Sequence, residues 1–162
     1  TDWIEELEPN IVSIAKGIGG GFPIGALLVD KKVSDVMTQG THGSTFGGNP
    51  LAMAVAEVVL NYVLKDDFLD HVRYIGYELR KMLKEKIVKK YPNLVKEVRG
   101  IGLMVGLVAK ENNEILIKKI RDERLLVVKA GMNVIRMLPP LILEMKHIKE
   151  AIEKIDKAFS NL

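Results

Sequence analysis

The sequence contains no cysteine, and this absence excludes several kinds of chemistry. Without thiols the chain can form no disulfide framework, offers no cysteine nucleophile and builds no thiolate metal site. The remaining candidate ligands, the histidines and scattered carboxylates, show no metal-binding spacing, so we predict no metal site. A chain without disulfides suits a cytoplasmic protein, which is the location we expect.

Aromatic residues and long apolar runs are also scarce. Phe, Trp and Tyr make up 6% of the 162 residues, and the net charge is a modest +3. The basic residues are spread over predicted helix faces rather than clustered with aromatics, which argues against a nucleic-acid surface. No apolar run approaches the roughly 20 residues that a membrane-spanning helix needs, and the acidic start Thr1–Glu6 is unlike a signal peptide. We therefore expect neither nucleic acid nor a membrane as partner.

The most informative stretch is a lysine followed by a glycine-rich turn. Ile11–Ala15 and Ile24–Val29 are apolar runs bounded by glycine or proline, a pattern that predicts buried strands. Lys16 therefore leaves the end of a strand into a loop whose backbone can approach a ligand closely. A primary amine in that position is suited to forming a Schiff base with a carbonyl compound. From this stretch alone, an ordinary surface lysine before a flexible turn remains an equal alternative.

Two nucleotide-binding motifs are excluded at this turn. The dinucleotide pattern GxGxxG beginning at Gly17 needs a glycine where the chain has Phe22. The P-loop pattern beginning at Gly20 needs a lysine where the chain has Ala26. The glycines therefore predict neither kind of nucleotide site.

The rest of the chain alternates between helix and strand patterns. A second glycine-rich loop, 39–50, leads into a helix that Asn49 caps and Pro50 begins. Apolar residues at helical spacing predict the core faces of the first two long helices: Leu51, Val55, Val58, Val59, Tyr62 and Val63 on one, and Val72, Ile75, Leu79, Met82, Leu83 and Ile87 on the other. The predicted elements after position 50 are helices to Lys65 and from Phe68 to Tyr91, strands Leu94–Arg99 and Leu103–Val108, a helix 112–124, strands Leu125–Lys129 and Val134–Met137, and a helix Glu144–Phe159. His71 and His147 fall on charged helix faces and are predicted to be solvated.

Three segments together resemble the class III, pyridoxal-phosphate-dependent aminotransferases. They are AKGIGGGFPIGA at 15–26, GTHGSTFGGNPL at 40–51 and NVIRMLPPL at 133–141, and they occur in the family's order. Within the family the likeness is greatest to the acetylornithine type. The resemblance implies an α/β fold: the C-terminal part of a fold-type I transferase large domain, residues 1–66, followed by a connecting helix and a small α+β domain, residues 67–162.

The resemblance also implies roles for individual residues. Lys16 would form a Schiff base with pyridoxal phosphate and then transfer protons, and Ser44 with Thr45 would bind the cofactor phosphate. In the family this loop reaches the neighbouring subunit, which implies a homodimer with shared sites. Arg136 would bind the substrate carboxylate. The implied reaction, in arginine biosynthesis, moves an amino group from N-acetylornithine or a similar acylated diamino acid to 2-oxoglutarate; ornithine or 4-aminobutyrate are the alternative donors.

Other interpretations of these residues stay open. Thr45 is also a common type of turn residue before a helix, and Arg136 in an apolar strand is also explained by a structural ion pair. The family's acidic strand before the lysine has no counterpart in residues 1–10, nor does the chain carry the family's ring-stacking aromatic. We therefore expect a piece of a longer enzyme or a shortened gene product, with a non-catalytic folded remnant or interaction module as the alternative.

Overall fold

The computed structural model describes residues 8–160 and Leu162. The chain divides into two compact units, an N-terminal unit that ends at Lys65 and a C-terminal unit, Asp66–Leu162. The acidic start, on which the signal-peptide prediction depended, lies outside the described residues. Among the helices that are described, none is long and apolar enough to cross a membrane.

The N-terminal unit is built on a β-hairpin and one long helix. Strands β1 (Ile11–Ile14) and β2 (Ala26–Val29) pair antiparallel, with Ile11 opposite Val29. A short 3₁₀ turn, Lys16–Gly19, lies between them. The short helix α1 (Lys31–Ser34) and the helix α2 (Pro50–Val63) follow. The predicted helix start is confirmed, because Asn49 caps α2 by accepting a hydrogen bond from the Ala52 amide at 2.9 Å.

Asp30 closes the base of the hairpin. Its backbone amide donates to the Asn10 carbonyl at 3.0 Å, and its carboxylate accepts bonds from the Val33 amide and the Asn10 side chain. The Val33 amide and then the Asn10 amide group lower the pKa of this carboxyl, because both bonds favour the ionised form. The same residue therefore ends β2 and caps α1, and it holds the two strands together at the end of the hairpin opposite to the lysine turn.

The predicted burial of this unit is wrong. Ile11 and Leu28 in the hairpin are each 55% exposed, and Val58 on α2 is 70% exposed. The small residues Ala52 and Ala56 are the ones that α2 buries. Periodicity shows which residues share a helix face, but the neighbouring elements decide which face is covered. Within this unit α2 packs mainly on the short 3₁₀ turn, so Val55, Val59 and Val63 are half-buried while its other large apolar residues stay exposed.

The C-terminal unit is an antiparallel sheet packed on helices. Its strands are β3 (Val95–Ile101), β4 (Met104–Ala109), β5 (Val128–Ala130) and β6 (Val134–Met137), in the spatial order β3–β4–β6–β5. Its helices are α3 (Asp66–Met82), α4 (Asn113–Asp122) and α5 (Met145–Ser160). The core is formed by alternate residues of one sheet face together with the apolar stripes of the helices: Val105, Leu107, Ile135, Leu79, Leu83, Ile120, Ile148, Ile155 and Phe159.

The long helix predicted from Phe68 to Tyr91 has two parts. After α3 the backbone widens into a π-helical segment, Leu83–Val88. The predicted core stripe is confirmed, since Ile75, Leu79, Leu83 and Ile87 are all buried. The final helix also buries the predicted face, apart from Ala151, which is half-buried.

A polar contact joins this π-helical end to α5. The Asp156 carboxylate accepts hydrogen bonds from the Lys90 ammonium at 2.7 Å and from the Tyr91 hydroxyl at 2.8 Å. The Tyr91 ring meets Phe159 edge to face at 5.5 Å. The hydrogen bond from Lys90 lowers the pKa of Asp156, the ordinary effect of a cation on a carboxyl. The contact fixes the last helix against the chain that leads into the sheet.

Candidate active site

Lys16 occupies an unusual backbone conformation. It begins the 3₁₀ turn after β1 with φ of 58°, in the left-handed region that residues other than glycine rarely adopt. Such a conformation costs on the order of 1–3 kcal/mol. The side chain is exposed and forms no hydrogen bond or ion pair within the described residues that would offset that cost. A strained, unpaired lysine is a candidate for function rather than for stability.

The glycines after Lys16 let the turn lie against α2. Gly20 also has a positive φ, 55°, and its amide closes the turn onto the Gly17 carbonyl at 3.1 Å. A Cβ at Gly20 would lie 3.1 Å from a methyl group of Val59 on α2. The turn therefore needs glycine both for its conformation and for its close approach to the helix, and this packing holds the backbone of Lys16 in place.

The second glycine-rich loop is fixed at both ends. The Thr41 hydroxyl donates to the Thr38 carbonyl at 2.7 Å, and the Asn49 side chain donates to the Phe46 carbonyl at 2.8 Å. Between these bonds lie Ser44 and Thr45, both exposed, whose hydroxyls form no hydrogen bond within the described part of the chain. Two free hydroxyls among glycine amides are a suitable donor set for an anion.

Arg136 lies in the C-terminal unit, on β6, one of the two inner strands of the sheet. It is half-buried, and its Nε is fully buried with no hydrogen-bond partner in the described residues. No ion pair to Arg136 is found among residues 8–160, so the structure gives no support to the structural ion pair considered above. A buried N–H group without a partner costs about 1–3 kcal/mol. An acceptor supplied by a ligand would remove that cost.

The sheet register places Arg136 in a row with a second arginine. Gly106 on β4 is paired with Arg136 on one side and with Arg99 of β3 on the other. Arg99 is satisfied locally, because its Nε donates to Glu97 at 2.7 Å and its Nη2 contacts the same carboxylate at 2.5 Å. Of the two guanidinium groups, that of Arg136 is the one left without a carboxylate.

The close packing at Gly106, where a Cβ would lie 2.8 Å from the Cγ1 atom of Val134, was not predicted from the sequence. Its signal was a lone glycine inside the apolar strand Met104–Ala109, which indicates a close approach of backbone or ligand.

The chain after Arg136 is anchored by a histidine. The Nε2 atom of His71 on α3 lies 2.9 Å from the Leu143 carbonyl, and the side chain is half-buried. The prediction that His71 is solvated is therefore wrong, because α3 turns this position toward the segment that precedes α5. His147 is exposed as predicted, and its Nδ1 accepts a hydrogen bond from the Glu144 amide at the start of α5.

The structure thus places the predicted site residues in two groups. Lys16, Ser44 and Thr45 belong to the N-terminal unit, and Arg136 belongs to the C-terminal unit. Each of the four side chains is without a hydrogen-bond or ion-pair partner within the described residues. An unpaired amine, two unpaired hydroxyls and a guanidinium with an unpaired Nε could bind a carbonyl group, a phosphate and a carboxylate, respectively.

Comparison with known proteins identifies relatives with the same arrangement of elements. The chain is 47% identical over 156 residues to acetylornithine aminotransferase of Brucella melitensis, covering 96% of this chain and 38% of that protein. It superimposes on acetylornithine aminotransferase from Elizabethkingia anophelis with a TM-score of 0.86, at 30% identity over 98% of this chain and 42% of the other. The ornithine aminotransferase of Toxoplasma gondii, described with partial occupancy of PLP at its active site, gives 0.85 at 32% identity, over 95% of this chain and 37% of the other.

These relatives are longer than the chain, which spans about 38% of the curated ones it matches. The fold is nevertheless that of the matching part of the α/β aminotransferases, as the superpositions show. Residues 1–159 match the aminotransferase class-III family. The chain belongs to the class-III aminotransferases.

Proposed function

We propose that this chain supplies the lysine, the phosphate loop and the carboxylate-binding arginine of a pyridoxal-phosphate-dependent aminotransferase. The donor would be N-acetylornithine or a similar acylated diamino acid, and the acceptor 2-oxoglutarate. The observation that carries the proposal is Lys16, an unpaired amine in a strained backbone conformation within a chain of this family. Acetylornithine aminotransferases among the relatives support the choice of donor and a place in arginine biosynthesis.

The residues present fit the cofactor. Lys16 Nζ would hold its aldehyde carbon, and the free hydroxyls of Ser44 and Thr45 would bind its phosphate together with nearby glycine amides. When bound, pyridoxal phosphate supplies an electron sink that stabilises negative charge at the carbon losing its proton.

Lys16 would also transfer the proton. A lysine amine next to the amino-bearing carbon of the substrate can remove its proton and return one later as the general acid. The turn that follows Lys16 holds its backbone but leaves the side chain unbonded, so the amine is free to change position during the reaction.

Arg136 would orient the substrate. Guanidinium groups bind carboxylates through two parallel hydrogen bonds, and the buried Nε of Arg136 is one donor still without an acceptor. A carboxylate bound there would satisfy this donor and hold that end of the substrate.

We further propose that the chain acts as a homodimer. The Ser44–Thr45 loop is exposed in the single chain and is held by its own hydrogen bonds, which suits a loop that contributes to a neighbouring subunit's site. The large apolar residues that α2 exposes are also consistent with further packing against protein.

The test is transamination by the protein as purified from its source, together with any polypeptide that co-purifies. Glutamate formation from 2-oxoglutarate is measured with pyridoxal phosphate present and with N-acetylornithine, ornithine or 4-aminobutyrate as donor. Lys16→Ala should abolish turnover, whereas Lys32→Ala, a change of another exposed lysine in the same unit, should leave it unchanged.

The outcomes separate the candidates. Turnover that is fastest with N-acetylornithine supports the proposal. Faster turnover with ornithine or 4-aminobutyrate would show that this compound is the amino donor instead. Activity that survives Lys16→Ala contradicts the assigned role. A protein that neither binds the cofactor nor turns over any donor favours the non-catalytic interaction module.

A further inference from the structure

We propose that an apolar groove of the C-terminal unit is the docking site for an extended apolar segment of aminotransferase polypeptide. The groove, called the Leu126 groove below, is the cavity between residues 125–126 and residues 138–140, beside α5. The docked segment would come from the part of the longer relatives that this chain does not match. The inference uses the family membership but none of the catalytic roles proposed above, so either can fail while the other stands.

The Leu126 groove begins where β5 and β6 stop pairing. Val128 is paired with Arg136, and the same register would set Leu126 opposite Leu138. No backbone hydrogen bond joins that second pair. Residues 139–140 are both proline and have no N–H group with which to continue the ladder. The two strands therefore pair next to their connecting turn, and the cavity lies at the end where they are no longer bonded.

The groove is apolar and open to water. Its volume is about 440 Å³. Leu125, Leu126 and Leu138 line the strand side, and the buried Ile148 of α5 lies on the helix side. Leu126 is 90% exposed, the most exposed of the large apolar residues in the described part of the chain, and Leu138 is exposed as well. Removing such an apolar surface from water is favourable, so a partner that covers it gains affinity.

The charges at the groove favour an uncharged occupant. Its polar lining residues are His147, Glu150 and Lys154, all on α5. Lys154 contacts the Glu150 carboxylate at 2.6 Å, and the Nδ1 atom of His147 accepts a hydrogen bond from the Glu144 amide. The lining cation and anion thus pair with each other, and neither is left over for a charged ligand. A small carboxylate or phosphate would meet mostly leucine and proline side chains there.

The backbone at Leu126 suits an extended polypeptide. Its N–H and C=O groups form no hydrogen bond within the described residues. Unbonded backbone groups next to a strand are a template on which another strand can form. A peptide that adds to such an edge gains affinity from backbone hydrogen bonds and places alternate side chains in apolar pockets. Leu126 offers both features at one position, which a compact apolar molecule would not use.

The relatives supply an occupant of this kind. The chain superimposes over nearly its whole length on part of a longer acetylornithine aminotransferase, so β5, β6 and α5 recur inside a larger enzyme. In that enzyme the polypeptide outside the superimposed part is available to cover an exposed leucine and the apolar cavity beside it. We therefore commit to a segment of that part as the occupant, in preference to a second copy of this chain.

The experiment titrates the chain with defined peptides. Overlapping synthetic peptides represent the part of the Brucella melitensis acetylornithine aminotransferase that lies outside the match. The chain carries ¹³C-methyl-labelled leucine, and NMR follows the methyl signals of Leu126 and Leu138, assigned with Leu126→Val and Leu138→Val. We expect at least one apolar peptide to shift both signals. Leu126→Asp should weaken its binding at least about tenfold, as followed at Leu138, because the carboxylate would lose water in the groove.

Met132→Asp is the matched control. It introduces the same charge at a residue that is 83% exposed and lies beyond the other end of β5, so binding should be unchanged. Circular dichroism melting checks that both variants fold. If no peptide shifts the two leucine signals, or if Met132→Asp weakens binding as much as Leu126→Asp does, the inference is overturned. Self-association of the chain that Leu126→Asp abolishes, without binding of any peptide, would also overturn it and would assign the groove to a second copy.

Discussion

Replacing Gly76 with alanine should destabilise the C-terminal unit, although alanine is the better helix former. Gly76 lies inside α3 and is buried where the helix crosses the turn between β3 and β4. An added Cβ would overlap the backbone carbonyl group of Gly102, which cannot rotate away as a side chain could. Arg80, one turn further along α3, donates to the same carbonyl oxygen at 2.5 Å.

The expected change in the free energy of unfolding follows from two opposing effects. Helix propensity favours alanine over glycine by about 1 kcal/mol. Overpacking against fixed groups costs about 1–3 kcal/mol, and the overlap with backbone places this site at the upper end. If α3 also moves off the turn, the Arg80 hydrogen bond weakens as well. We expect a net loss of about 2 kcal/mol, which lowers the melting temperature of a unit of this size by about 10 °C.

Urea unfolding followed by circular dichroism measures the change in the free energy of unfolding. Hydrogen exchange of α3 and β4 assigns the transition to this unit. Gly131→Ala is the control, because no heavy atom lies within 4 Å of a Cβ at that position and its φ is not positive. It should change the free energy of unfolding by less than about 0.5 kcal/mol. A Gly76→Ala variant as stable as the unaltered protein, or more stable, would show that α3 does not depend on this close approach.

Three further changes test other parts of the account. Arg136→Lys should raise the KM for 2-oxoglutarate about tenfold or more, since an ammonium cannot reproduce a bidentate pair, and an unchanged KM in the assay above would contradict this role. Asp156→Asn should reduce the loss of stability in acid. Lys90 holds the pKa of Asp156 below its ordinary value of 3.8, so the ionised carboxylate stabilises the fold above that pH. This stabilisation is lost as the pH falls through the folded-state pKa. Melting curves between about pH 7 and pH 2 should therefore show a smaller acid loss for Asp156→Asn, and equal losses would refute the contact's importance. Asn49→Ala should lower the free energy of unfolding by about 1 kcal/mol, because α2 loses its cap, and should speed hydrogen exchange in the loop before α2. Unaltered exchange would show that the cap does not hold this loop.

The sequence was sufficient to predict the order of elements in the C-terminal unit. The stripe from Ile75 to Ile87 and the inward face of α5 follow from helical periodicity, because in this unit a sheet and helices cover them on the expected side. The π-helical widening at Leu83–Val88 was not predictable, since it preserves the spacing of Leu83 and Ile87 and leaves no sign in the pattern.

The N-terminal unit shows where periodicity is insufficient. Leu51 and Val58 have the spacing of a core face, yet both are exposed, while Ala52 and Ala56 are buried. A pattern records which residues lie together, and burial depends on what packs against them. The prediction for His71 was wrong for a related reason. Its neighbours along the helix are charged, but the group that it contacts, the Leu143 carbonyl, is far away in sequence.

The candidate site was predictable in part. Lys16, Ser44, Thr45 and Arg136 are recognisable because each lies in a motif, although their assigned roles remain predictions. The neighbours of Arg136 were not predictable, because the strand register pairs residues 106 and 136 across 29 intervening positions that no local pattern connects.

The central claim is that Lys16 binds pyridoxal phosphate covalently. Borohydride reduction of the protein purified from its source, followed by peptide mass spectrometry, would locate the phosphopyridoxyl group. We expect a single dominant site at Lys16, absent from Lys16→Ala and retained in Lys32→Ala. Labelling spread evenly over exposed lysines, or none at Lys16, would contradict it.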